Sequence, residues 1–266
     1  MHSIGRDNAP DAVEIGFFGG STAWGTGVDD NGTIPAQFDA ITRNYQVTNY
    51  GERGYTIMQN LIDLIILINE QGAPEKVVFY EGFNDIWVHC NAAVTKRLNS
   101  HKKERRMQSA LDRTGPENYL YNMALVPVSF LTSIIVGRNR THEAACSNDP
   151  EHADAVAEMF VRTMEMAHTL VSANGGRFYG FLQPNVFIGD PRTDQLDLTG
   201  KHIEGQRAQF AVLYPLIREK MAARGHDWFF DISNALDGDD YLLIDDVHVT
   251  TKGNALIAAL IRQSLE

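Results

Sequence analysis

Val13-Glu14-Ile15-Gly16-Phe17-Phe18-Gly19-Gly20-Ser21-Thr22-Ala23-Trp24-Gly25 is the stretch that decides the fold. Val13 to Phe18 is almost continuously apolar, the pattern of a strand covered by helices on both faces. The glycines after it end the run in a tight turn and leave Ser21 at its carboxyl end. Four more runs read the same way: Tyr45 to Asn49, Lys76 to Tyr80, Arg177 to Leu182 and Trp228 to Ile232. Helix-length segments separate them. Ile57 to Asn69 is apolar on most sides and reads as a buried helix; Asp154 to Ser172, Glu204 to Arg224 (stopped by Gly225) and Thr251 to Leu265 follow. This alternation predicts an α/β chain, a three-layer α/β/α sandwich around a parallel sheet of about five strands.

The chain has 266 residues, which reads as a single domain over 1–266. Its rhythm breaks once, because Glu81 to Gly176 is far longer than a minimal crossover of about a dozen residues. We assign a helical insertion to about residues 90–150, above the carboxyl edge of the sheet. The 23 basic residues against 34 acidic ones give a net charge of −11. A chain so acidic lacks the basic footprint of a general nucleic-acid binder. With 44% hydrophobic and 21% charged residues, the composition is that of a folded globule. No basic region followed by an apolar run opens the chain, so no leader or N-terminal anchor is expected from it.

Four short blocks carry the chemistry. A serine hemmed by glycines at a strand end, as in Gly19 to Gly25, suits an exposed nucleophile, and equally a helix-capping loop. Gly25-Thr26-Gly27 lacks the third glycine of a dinucleotide fingerprint, and a P-loop lysine is absent. Asn49-Tyr50-Gly51-Glu52-Arg53-Gly54-Tyr55-Thr56 offers glycine N–H groups to a ligand, or is an ordinary turn. In Glu81-Gly82-Phe83-Asn84-Asp85 the Asn84 amide can donate to an oxyanion, or Asn84 or Asp85 caps the next helix. In Asp245-Asp246-Val247-His248 a carboxylate three residues before a histidine can accept from one imidazole nitrogen and leave the other as a base.

Together and in this order, the blocks resemble those of the SGNH (GDSL-type) serine hydrolase family. The resemblance spans residues 13 to 260, with the insertion unmatched. It implies a flavodoxin-like sheet and a serine esterase, with Ser21 as nucleophile, His248 as general base and Asp245 orienting His248. The implied oxyanion hole is the N–H of Ser21, the N–H of Gly54 (Gly51 being the alternative) and the Asn84 side chain. The family often carries Asp before the nucleophile, where this chain has Gly20; this implies a differently packed turn. The implied substrate is an O-acetyl or other short acyl ester on a carbohydrate. The same groups would serve an acyltransferase acting on polysaccharide, and the same fold a carbohydrate-binding module without turnover.

Trp24, Tyr55 and Trp87 lie near these blocks and are candidates to bind substrate, with sheet-helix packing as the alternative. Lys96, Arg97, Lys102, Lys103, Arg105 and Arg106 form a basic cluster that suits an anionic polysaccharide, phospholipid head groups or plain solvation. Tyr119 to Val136 reads as two short helices broken at Pro127, packing on the core or forming a lid, with membrane-surface contact through 119–136 left open. Cys90 and Cys146 bracket the insertion; a disulfide between them would point to an oxidising compartment, secreted or in the cell envelope. His142-Glu143-Ala144-Ala145-Cys146 falls short of a zinc motif, and Asp237 to His248 lacks the glutamate of a calcium loop. No metal or cofactor is expected.

Overall fold

The structure is a computed structural model that describes residues 2–4, 12–91 and 145–266. Its sheet has six strands: β1 (His2–Ile4), β2 (Val13–Gly19), β3 (Tyr45–Asn49), β4 (Lys76–Glu81), β5 (Arg177–Leu182) and β6 (Phe229–Asp231). They lie in the order β1-β3-β2-β4-β5-β6. Five are parallel, in register from Val13↔Tyr45 and Ile15↔Lys76 through Lys76↔Arg177 to Gly180↔Phe229. β1 adds an antiparallel edge strand that the apolar pattern did not signal, pairing His2 with Asn49.

The helices expected at 57–69, 154–172, 204–224 and 251–265 are present. In chain order the helices described are α1 (Ser21–Trp24), α2 (Ile34–Ile41), α3 (Ile57–Gln71), α4 (Phe83–Asn91), α5 (Ala145–Asn148), α6 (Pro150–Ala173), α7 (Lys201–Arg224) and α8 (Thr251–Leu265). One layer pairs α2 with α8, and the other sets α3, α6 and α7 side by side. Ile15, Phe17 and Phe18 of β2, with Val77, Val78 and Phe79 of β4, are buried between the layers. Fully burying one such side chain contributes roughly 1.5–3 kcal/mol, which is why these strands tolerate few polar residues.

α3 departs from the expectation of a buried helix. Ile57, Leu61, Leu64 and Leu67 face the core, but Ile62, Ile65 and Ile66 are 46–49% exposed. A surface helix needs only one apolar stripe, so its extra isoleucines lie outside the core face. The capping box of Thr56 and Gln59 starts it, with Gln59 Oε1 accepting from Thr56 N at 3.0 Å. Between α3 and α6 runs an apolar groove of ≈ 710 Å³, lined by Leu61, Ile65, Met166 and Leu170 among others.

Cys90 and Cys146 are joined as a disulfide with Cα atoms 5.1 Å apart, tying the end of α4 to α5. The basic cluster and the apolar stretch 119–136 lie outside the described residues. Among the described residues, no helix is long and apolar enough to cross a membrane.

Candidate active site

Parallel strands in the order β3-β2-β4-β5-β6 place a topological switch between β2 and β4, because the chain leaves β2 to one side and returns to its other side at β4. Loops at such a switch splay apart above the carboxyl ends and open a crevice. Ser21 follows β2 and Asn84 follows β4, so the two flank this crevice.

Ser21 is the first residue of α1, with Gly20 as its N-cap. Being first, its N–H has no intrahelical acceptor, and it is unpartnered among the described residues. Asn49, at the end of β3, holds α1 in place: its Nδ2 donates to Ala23 O and its Oδ1 accepts from Gly51 N, both at 2.9 Å. The Gly51 N–H is therefore occupied. Gly54 sits in the left-handed region at φ +78°, where only glycine is free of strain, and its N–H has no partner among the described residues.

Asn84 is the second residue of α4, and its Nδ2 donates to Tyr55 O at 2.7 Å, leaving one amide hydrogen free. The same amide fills the space a Cβ on Gly20 would need. Glycine before the serine thus lets Asn84 come close to Ser21.

Asp85 also reaches outside its own helix. Its Oδ1 accepts from Ile57 N at 3.0 Å, so it caps α3, while Oδ2 has no hydrogen-bond partner among the described residues. Asn84 and Asp85 together hold residues 55 to 57 against the start of α4. Nearby, Glu81 Oε1 accepts from Asn60 Nδ2 at 2.5 Å. Burial raises the Asp85 carboxyl to about 7 against the lowering effect of its backbone hydrogen bonds. Burial, then the charge of Asp85, pushes Glu81 well above the usual carboxylate range. Sequence reasoning missed this clamp, since a bond from α4 to α3 leaves no local spacing signal.

His248 enters from the far end of the chain. Leu243 pairs with Val249, and Ile244 N donates to His248 O at 2.8 Å, so residues 244–248 form a tight turn. Asp245 Oδ1 accepts from Val247 N at 2.9 Å and His248 N at 2.7 Å, a local bonding pattern that fixes the Asp-x-x-His spacing. Its Oδ2 lies 2.6 Å from His248 Nδ1, and His248 Nε2 lies 2.8 Å from Ser21 Oγ. An ionised carboxylate only accepts, so Nδ1 carries the proton and Nε2 faces the serine hydroxyl as acceptor. Burial opposes ionisation of Asp245, but the His248 side chain and the backbone N–H groups of Val247 and His248 outweigh it and bring its carboxyl to about 2. Adjacent Asp246 moves upward instead, through burial and the charge of Asp245.

The structure therefore brings Ser21, His248 and Asp245 into one hydrogen-bonded line, with Gly54 and Asn84 on the loops around Ser21. Trp24 lies one turn after Ser21 and Trp87 one turn after Asn84; both rings are exposed, at 38% and 42%, so neither is a core residue. Tyr55 is half-buried. Beside Asp245 a cleft of ≈ 330 Å³ is lined by Gln195, Leu196, Leu198, Ile203 and Ile244 among others.

No protein-family model matches the sequence, and no curated protein matches it. Solved structures do. A G-D-S-L family lipolytic protein from Veillonella parvula superposes with a TM-score of 0.55 at 15% identity, covering 95% of this chain and 97% of its own. An extracellular lipase from Streptomyces rimosus gives 0.54 at 12% identity, with 95% and 100% covered. Est24, a carbohydrate acetylesterase from Sinorhizobium meliloti, gives 0.51 at 12% identity, with 95% and 98% covered. With its flavodoxin-like strand order and its crevice between β2 and β4, the chain is built on the fold of the SGNH, or GDSL-type, hydrolases.

Proposed function

We propose that this protein is a serine esterase that hydrolyses carboxylic esters through an acyl-enzyme. The observation that carries the reading is the continuous line from Asp245 through His248 to Ser21, with bonds of 2.6 and 2.8 Å. Ser21 Oγ attacks the ester carbonyl while its proton passes to His248 Nε2, and Asp245 stabilises the imidazolium. The oxyanion accepts from the N–H groups of Ser21 and Gly54 and from the free amide hydrogen of Asn84. Collapse breaks the bond to the alkoxy oxygen, which leaves as the alcohol with the proton from His248. Water then attacks the acyl-Ser21 carbonyl, gives a proton to His248, and the acid departs as Ser21 recovers its proton.

The substrate we propose is a short acyl ester on a carbohydrate. The exposed rings of Trp24 and Trp87 near the site support this, since an aromatic face suits the apolar face of a sugar. Est24 is named a carbohydrate acetylesterase, which agrees with it. The disulfide supports an oxidising location, secreted or in the envelope. Initial rates on p-nitrophenyl esters from acetate to octanoate, wild type beside Ser21→Ala, test the reading. Turnover that is highest on acetate and absent in the variant is expected; equal rates in both proteins would overturn it.

A further inference from the structure

We infer that Arg53 and Trp24 form a subsite for a carboxylate on the alcohol part of the substrate, so that the preferred esters are those of acidic sugars. This rests on the esterase reading and narrows it.

The loop carrying Arg53 is pinned at both ends against the nucleophile turn. Glu52 N donates to Gly19 O at 3.0 Å, Tyr55 N to Glu52 O at 3.2 Å, and Tyr55 O accepts from Asn84. Arg53 stands exposed at the crest, one residue before Gly54. Its guanidinium carbon lies 5.3 Å from the centre of the Trp24 ring, which is one helical turn from Ser21. A cation at the edge of a reacting centre, held over an aromatic face, is already partly ordered before any ligand arrives.

Arg53 also has no carboxylate partner among the described residues. Arg162, Arg192, Arg218, Arg224 and Arg262 each have one within 4 Å, while Arg43, Arg177 and Arg207 share its lack of one among the described residues. What distinguishes Arg53 is its place, on the loop pinned to the nucleophile turn and beside the exposed ring of Trp24. No hydrogen bond from the guanidinium is found among the described residues, so its N–H donors are available. That planar fork matches a carboxylate in bidentate geometry. The remaining surface of the indole offers contact to the apolar face of a ring. A sugar that places its hydroxyl ester over Ser21 and its carboxylate on Arg53 uses both features. Glu52 lies beside Arg53, and an uncharged sugar gains nothing from a cation placed there.

The test compares two O-acetylated methyl glycosides that differ at one group, a glucuronoside and its glucoside. Wild type should favour the glucuronoside by about tenfold in kcat/KM, and 0.5 M salt should erode the preference. Arg53→Gln should bring the ratio close to one, Arg53→Glu below one, and Arg53→Lys should restore part of it. A wild-type ratio of one, or a ratio that Arg53→Gln does not change, overturns the inference. Binding of both sugars to Ser21→Ala reads the subsite without turnover. Preference for the glucuronoside there, with no hydrolysis by wild type, sinks the esterase reading alone; equal binding sinks the subsite.

Discussion

The amide of Asn84 occupies the space above Gly20, immediately before the nucleophile candidate, and donates to Tyr55 O at 2.7 Å. The identity of residue 20 therefore controls where the donor we propose for the oxyanion can stand. Gly20→Ala should push the amide aside. A displacement of about 1 Å can lower kcat on the order of 10²-fold, and KM should change much less. Rates on p-nitrophenyl acetate check this, with circular dichroism showing that the fold persists.

Asn84→Ala removes the donor itself. We expect a loss of about 10²–10³-fold in kcat, with Ser21 still labelled, more slowly, by a fluorophosphonate. Loss of labelling and turnover without loss of fold would place Asn84 in activating the serine instead.

Asp245→Asn keeps shape but not charge. The imidazole then loses the acceptor that fixes its tautomer, and kcat should drop on the order of 10³–10⁴-fold. The carboxyl is held at about 2, below the ordinary carboxylate value, so ionised Asp245 favours the folded state above that ordinary value. The contribution disappears as pH falls toward 2. Acid unfolding of Asp245→Asn should accordingly be less steep than that of wild type, read by urea midpoints over this range.

Asp85 has the opposite sign. Its carboxyl is raised by burial to about 7, so the unfolded chain releases this proton at a lower pH than the folded one. Stability from this group is complete below the ordinary carboxylate value and falls as pH rises toward 7. Asp85→Asn retains an acceptor for Ile57 N and removes the titration. Its stability relative to wild type should improve between pH 5 and 8, measured by urea midpoints at several pH values. A constant difference would show that Asp85 is already ionised in the folded state throughout that range, and its carboxyl not raised.

Reduction of Cys90–Cys146, 56 residues apart, should lower unfolding free energy by about 4 kcal/mol on a chain-entropy basis. Thermal melts with and without reductant, beside the Cys90→Ala/Cys146→Ala variant, check it.

The parallel core was legible because strands such as Val77 to Tyr80 are buried on both faces and so read as unbroken apolar runs. The helix stop at Gly225 was legible for a local reason too, its αL conformation and N–H bond to Ala222 O. α3 was misread, since composition alone cannot say which of several isoleucines meets the core. β1 was missed because its pairing is set by β3 rather than by its own three residues. At the site, the residue types and order were readable, and so was the Asp-x-x-His turn. Gly54 was preferred to Gly51 there, but the contact by which Asn49 takes the Gly51 N–H was not readable, because it is made by a side chain. Asp85 holding Ile57 is likewise a contact between elements 28 residues apart. The insertion from 92 to 144 lies outside the described residues.

Ser21 and His248 meet across 227 residues of chain. At roughly 5–20 residues per second, about 10 to 45 s of synthesis separate the two. A growing chain that has made the serine turn, the Gly54 loop and the start of α4 still lacks His248, the base we propose for Ser21. Under the proposed mechanism, hydrolysis is thereby deferred until residue 248 has been made, and the newborn segment before it emerges without a working nucleophile.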